Sequence, residues 1–127
     1  MTKSSKNRIG TPIESNKTIM DIARRVNVQA NAENDRFNID PLTILMIAGL
    51  IINLVRLVMQ CRGRRSVRSS VTRPGFITKY FIKRAIRKEF PKHECKAIYS
   101  GMIEVAKDMS DAEWDEVIDF YEQTEER

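Results

Sequence analysis

Hydrophobic positions are spread unevenly along the chain, and their spacing divides it into a polar lead, one long apolar run and a mixed remainder. Residues 1–17 are rich in Ser, Lys, Asn and Thr, with one Gly and one Pro. Such a composition buries too little apolar surface to fold alone, so a polar arm is expected. From Thr18 to about Ala32, Ile19, Met20, Ile22, Ala23, Val26 and Val28 recur among Asp21, Arg24 and Arg25, which predicts a short amphipathic helix. The polar run from Asn31 to Asn38 breaks it.

Asp40 followed by Pro41 marks a helix start, because the carboxylate can cap free amide groups and proline at the first turn loses no hydrogen bond. The helix is predicted to run to about Gln60, and between Leu42 and Met59 its only clearly polar residues are Thr43, Asn53 and Arg56. Gly63 and the stretch from Ser66 to Gly75, with Pro74, end it and read as a basic linker over 62–75. Three short helices are predicted beyond. The first spans Phe76 to Glu89. The second is opened by Pro91 and carries Ile98, Met102, Val105 and Met109 on one stripe. The third starts at Ser110, where Ser110 and Glu113 match the capping-box pattern ahead of Trp114, Val117, Ile118 and Tyr121. No segment shows sustained period-two alternation and no internal repeat is visible. The expected fold class is therefore all-α. Its order is polar arm (1–17), amphipathic helix and linker (18–38), one hydrophobic helix (39–61), basic linker (62–75) and a C-terminal three-helix unit (76–127) with a basic first and an acidic last helix.

The apolar run carries the strongest functional signal. Its 18 residues from Leu42 to Met59 make about 27 Å of helix, close to the roughly 30 Å of a bilayer core. Arg62, Arg64, Arg65 and Arg68 follow it, while Asp35 and Asp40 precede it against Arg36, so a membrane-spanning helix would leave the C-terminal part in the cytoplasm. Gly49, Asn53, Arg56 and Gln60 are spaced by four, three and four and share one face. That stripe suits packing against another helix, or a wet pore, better than lipid on all sides. The core helix of a soluble protein gives the same all-round apolar pattern, and the two settings stay open.

Charge sharpens the division. The formal net charge of +5 hides three blocks, with 7 basic and 5 acidic residues up to Val55, 13 and 2 from Arg56 to Lys96, and 2 and 10 from Ala97 onward. The candidate basic contact face comprises Arg62, Arg64, Arg65, Arg68, Lys79, Lys83, Arg84, Arg87 and Lys88. The candidate acidic face comprises Asp111, Asp115, Glu116, Asp119 and Glu122. Pairing of the two, within the chain or between subunits, is expected ahead of anionic lipid, with nucleic acid third. In the helix from Phe76, the cations are expected opposite an apolar side of Ile77, Phe81, Ile82 and Ile86; Phe76, Tyr80 and Phe81 either offer rings to a partner or fill the core.

Little points to chemistry. The single histidine, in His93–Glu94–Cys95, has the wrong spacing for a metal site on a helix. No phosphate-binding loop, nucleophile elbow or dinucleotide fingerprint occurs. No catalytic residue, metal, cofactor or small-molecule substrate is expected. Two cysteines, Cys61 and Cys95, are too few for a disulfide framework and suit a reducing compartment, and the polar first 35 residues contain nothing like a secretory signal.

Ile39 to Ile47, with Asp40–Pro41 at its head, followed by Asn53 to Arg56 and then Gln60 and Cys61, resembles short uncharacterised virion-associated proteins of tailed phages, especially marine contractile-tailed ones. The resemblance covers about a sixth of the chain and rests on an acidic residue and proline before one hydrophobic helix. It implies a minor virion protein of the tail or baseplate, or one ejected at infection and able to contact the host membrane. The expected role is thus a non-enzymatic structural component of a large assembly. Its partners would be other protein subunits, including copies of itself, and its location the virion. The alternatives are a cellular single-pass membrane protein with a basic cytoplasmic segment and a partner-binding helical unit, and a nucleic-acid-binding protein.

Overall fold

The computed structural model describes residues 13–33 and 40–125, among which only helices, turns and bends occur. A 3-10 turn, Ile13–Ser15, leads into α1 (Lys17–Glu33). There follow α2 (Pro41–Arg62), a second 3-10 turn (Arg64–Ser66), α3 (Val67–Thr72), α4 (Phe76–Glu89), α5 (Lys92–Asp108) and α6 (Asp111–Glu125). The all-α class is what the structure has. Residues 1–12 of the expected arm and 34–39 of the first linker lie outside the described residues.

Local chemistry accounts for the main boundaries. Asp40 is extended, and its two carboxylate oxygens accept from the Thr43 backbone N–H at 2.9 Å and the Thr43 hydroxyl at 3.0 Å, with Pro41 as the first helical residue. These bonds hold the Asp40 carboxyl below its ordinary pKa, the Thr43 amide contributing most. At the other end α2 passes Gln60 and stops at Gly63, whose φ of 93° favours glycine and whose N–H donates to the Met59 carbonyl at 3.1 Å. Ser110 and Glu113 form the reciprocal capping box, with Ser110 N–H to Glu113 Oε1 at 3.0 Å and Glu113 N–H to Ser110 Oγ at 3.2 Å.

The segment expected as a basic linker is a correction. It folds into the second 3-10 turn and α3, which bury Val67, Ser70 and Val71. Val67 and Val71 are four apart and so share a helix face, an apolar signal that the surrounding Arg and Ser residues obscure.

At the centre lies α2, packed against α1, α3, α4 and α6. Its inward face is Ile44, Ile47, Ala48, Leu50, Ile51, Leu54, Val55 and Val58. The three C-terminal helices stand where the sequence predicts them, and their core is continuous with that of α1 and α2. The predicted stripe of α5, from Ile98 to Met109, is buried, as are Trp114, Val117, Ile118 and Tyr121 of α6. Gly101 of α5 permits the close crossing with α1: a Cβ there would lie 3.0 Å from the Val26 carbonyl oxygen and 3.3 Å from the Ala30 nitrogen. Large-to-small changes at a fully buried site such as Ile47 cost about 2–5 kcal/mol.

Candidate interaction surface

The acidic face of α6 is engaged within the chain. Arg64 reaches Glu122 at 2.6 Å, Asp119 at 3.2 Å and Asp115 at 3.8 Å, and Arg68 pairs with Asp111. The Thr18 hydroxyl donates to Glu116. The bond to Asp119 is the first cause raising the Arg64 guanidinium above its ordinary pKa. A further pair, Arg25 to Glu113 at 2.9 Å, is invisible in the sequence, since 88 residues separate the partners and no local pattern joins them. Two members of the predicted basic face thus meet all five of the predicted acidic residues but Glu116, which takes the hydroxyl instead.

The other cations go elsewhere. Lys79, Lys83, Arg84, Arg87 and Lys88 are exposed along α4, and among the described residues none of them forms an ion pair with an acidic side chain. Lys83 instead places its ammonium 5.2 Å from the Tyr99 ring centroid. Only Ile82 and Ile86 of this helix are buried. Phe76 is 90 % exposed, Ile77 67 %, Tyr80 52 % and Phe81 38 %. The expected inward side of α4 is corrected accordingly: Ile77 and Phe81 lie about 140° and 100° round the helix from Ile82, and the narrow edge that meets α5 and α2 cannot cover them. The Tyr80 and Phe81 rings stand edge to face, with centroids 5.5 Å apart.

Grooves flank α4 on both sides. Towards α5, about 670 Å³ is lined by Lys79, Lys83, Arg87, Lys92, Lys96 and Tyr99, with Glu104 among them. Towards α2, about 770 Å³ is lined by Gly49, Asn53 and Arg56 from one helix and Phe81, Arg84, Lys88 and Glu89 from the other. The polar stripe of α2 and part of the basic face therefore meet across one groove, where Arg56 donates to Asn53 Oδ1 at 3.2 Å. Gln60 and Arg62 are exposed further along and do not line it. Arg65 lines a third groove with Arg68, Arg73 and Lys107.

The outer side of α2 is only partly covered. Leu42 is exposed, and Leu45, Met46, Ile52, Leu57 and Met59 are half-buried. The helix is long and apolar enough to cross a membrane, yet 39 % of its most apolar stretch is buried inside the chain. A small apolar cavity of about 30 Å³, bounded by Ile22, Ile51, Met102 and Trp114 among others, has room for about one water. Among the described residues no three His, Cys, Asp or Glu side chains gather as a metal site. His93 Nε2 stands 3.7 Å from Glu94. Cys61 is exposed, whereas Cys95 is half-buried with its thiol 3.4 Å from the Pro91 carbonyl, and desolvation raises its pKa.

No protein-family model, curated protein or solved structure matches the chain.

Proposed function

We propose that this chain is a non-enzymatic structural subunit of a multi-protein assembly, held to its neighbours through the outer face of α2. The observation that carries this is a 22-residue apolar helix of which one side packs in its own chain while the other presents Leu42, Leu45, Met46, Ile52 and Leu57 beside Gly49. These half-buried apolar side chains and the exposed Leu42 flank a stripe of Gly49, Asn53, Arg56 and Gln60 that runs down the outward face, a mixed surface that suits packing against another helix. Gly49 adds to it, because nothing lies within 4 Å of where its Cβ would be, leaving room for a neighbour's side chain. The resemblance of Ile39 to Ile47, Asn53 to Arg56, Gln60 and Cys61 to tailed-phage proteins supports the virion as the setting of this minor component.

Insertion of α2 into a bilayer as a single span fits less well, since α1, α3, α4 and α6 would first have to leave the helix they cover. The test is mass spectrometry of purified particles together with light scattering of the purified chain. Several copies per particle and association beyond one chain support the proposal. A stable monomer that never appears in particles rejects it.

A further inference from the structure

Among the described residues the cations of α4 form no ion pair with an acidic side chain, although Lys83 sits over the Tyr99 ring, and the composition of the exposed face specifies what it fits. We propose that α4 docks the protein on an anionic phospholipid surface, with its first two turns entering the interface and its last two lying among the headgroup phosphates.

The apolar side chains Phe76, Ile77, Tyr80 and Phe81 occupy the start of the helix, and Lys83, Arg84, Arg87 and Lys88 its end. Both sets fan over the side of the helix turned away from Ile82 and Ile86, with Phe81, Arg84 and Lys88 towards α2 and Lys83 and Arg87 towards α5. Their mean directions nearly coincide, so the average separation of the two sets lies along the axis. Their centres are about seven residues apart, or about 10 Å at the helical rise. An interfacial helix sinks its apolar part about 5–10 Å below the headgroups. A helix tilted with Phe76 lowest therefore sets the rings and Ile77 at the acyl boundary while the cations stay at the phosphates. Lys79, between the two sets, reaches back to the headgroups along its aliphatic stem. Charge complementarity extends to both flanks. Lys92 and Lys96 line the groove on one side and Arg56 that on the other, against Glu104 and Glu89.

A nucleic acid fits this arrangement less well. Base stacking calls for rings interleaved with cations along the strand, whereas here the most exposed apolar side chains stand together beyond the cations, and Ile77 has no ring to stack. The inference goes beyond the assembly reading and does not require it: a chain that enters particles but ignores vesicles fails this inference alone.

The experiment is flotation of the full chain with vesicles of phosphatidylcholine alone or mixed with phosphatidylglycerol, each with and without a mixed-sequence oligonucleotide. The chain is expected to float with the mixed vesicles and not the neutral ones. Phe76→Ser with Ile77→Ser, which leaves charge and α2 unaltered, is expected to weaken binding at least about tenfold. Arg84→Glu with Lys88→Glu is expected to weaken it by about fivefold or more for each cation removed. All four side chains are exposed, and circular dichroism checks that the variants keep the helical fold. Equal flotation of the serine variant and the parent, equal recovery on neutral vesicles, or displacement from the mixed vesicles by the oligonucleotide would each overturn the assignment; the last would transfer the surface to nucleic acid.

Discussion

Two glycines inside helices should respond in opposite directions to the same substitution, Gly49→Ala in α2 and Gly101→Ala in α5. Each change removes a flexible residue from a helix interior, a gain of about 1 kcal/mol from propensity alone. At Gly49 the new methyl group has nothing within 4 Å, so the gain is kept and the variant should be about 0.5–1 kcal/mol more stable. At Gly101 the same methyl lies 3.0 Å from the Val26 carbonyl oxygen and 3.3 Å from the Ala30 nitrogen, both backbone atoms of α1. A backbone cannot rotate aside as a side chain can, so the two helices must part slightly. Overpacking of this kind costs about 1–3 kcal/mol; its midpoint of about 2 kcal/mol exceeds the propensity gain and leaves the variant about 1 kcal/mol less stable. The two proteins should thus differ by about 1.5–2 kcal/mol. For a chain of this size that corresponds to a Tm separation of about 5–10 °C. Thermal unfolding followed by circular dichroism, with urea titration as a second axis, reads it directly. A Gly101→Ala protein as stable as the parent would refute the close α1–α5 crossing, and a destabilised Gly49→Ala protein would refute the open outer face of α2.

Three further outcomes follow from local geometry. The Glu113 carboxyl is held below its ordinary value of 4.5, chiefly by the Ser110 amide and then by Arg25, so the stability it contributes is complete above that value and is lost as pH falls through its lowered pKa. Ser110→Ala should cost about 1 kcal/mol near neutral pH, and Glu113→Gln should flatten the acid limb of a stability–pH curve; an unchanged limb argues against the capping box. Gly63→Ala places a side chain at a φ of 93° and should cost about 1–3 kcal/mol, measured by urea unfolding. The exposed Cys61 thiol should react with a disulfide reagent at mildly alkaline pH well before Cys95, whose pKa is raised by burial; equal rates would contradict that placement.

The parts of this structure legible in the sequence are those set by neighbours a few residues apart. Asp40–Pro41 starts α2, the Ser110–Glu113 box starts α6, and the bounds of α4 fall at Phe76 and Glu89. What could not be read depends on tertiary contact. The i to i+4 pair Val67 and Val71 makes α3 worth folding only because α2 and α5 are there to cover it. Periodicity groups Ile77 and Phe81 with Ile82 and Ile86, but the narrow contact of α4 with α2 and α5 takes only the last two inside. The same holds for the surface. The stripe through Gly49, Asn53 and Arg56 and the cations Arg84 and Lys88 are each visible as helical patterns, and only the packing of α4 beside α2 places them across one groove. In-chain pairing of opposite charges was foreseeable. That Arg64 and Arg68 would take the acidic helix and leave α4 uncompensated was not, because it depends on where the chain turns at Gly63.

Whether α2 turns Ile47 into its own chain and Asn53 outward, towards a neighbouring subunit, is read most directly by thiol labelling. In a chain carrying Cys61→Ser and Cys95→Ser, a probe thiol is introduced by Asn53→Cys or, separately, by Ile47→Cys. Asn53 is exposed and Ile47 fully buried. The thiol at position 53 should label rapidly in the dissociated chain and be protected in the assembled particle, while that at position 47 should label only on unfolding. Rapid labelling at position 47 in the folded chain, or labelling at position 53 that is as fast in the particle as in the free chain, would contradict the account.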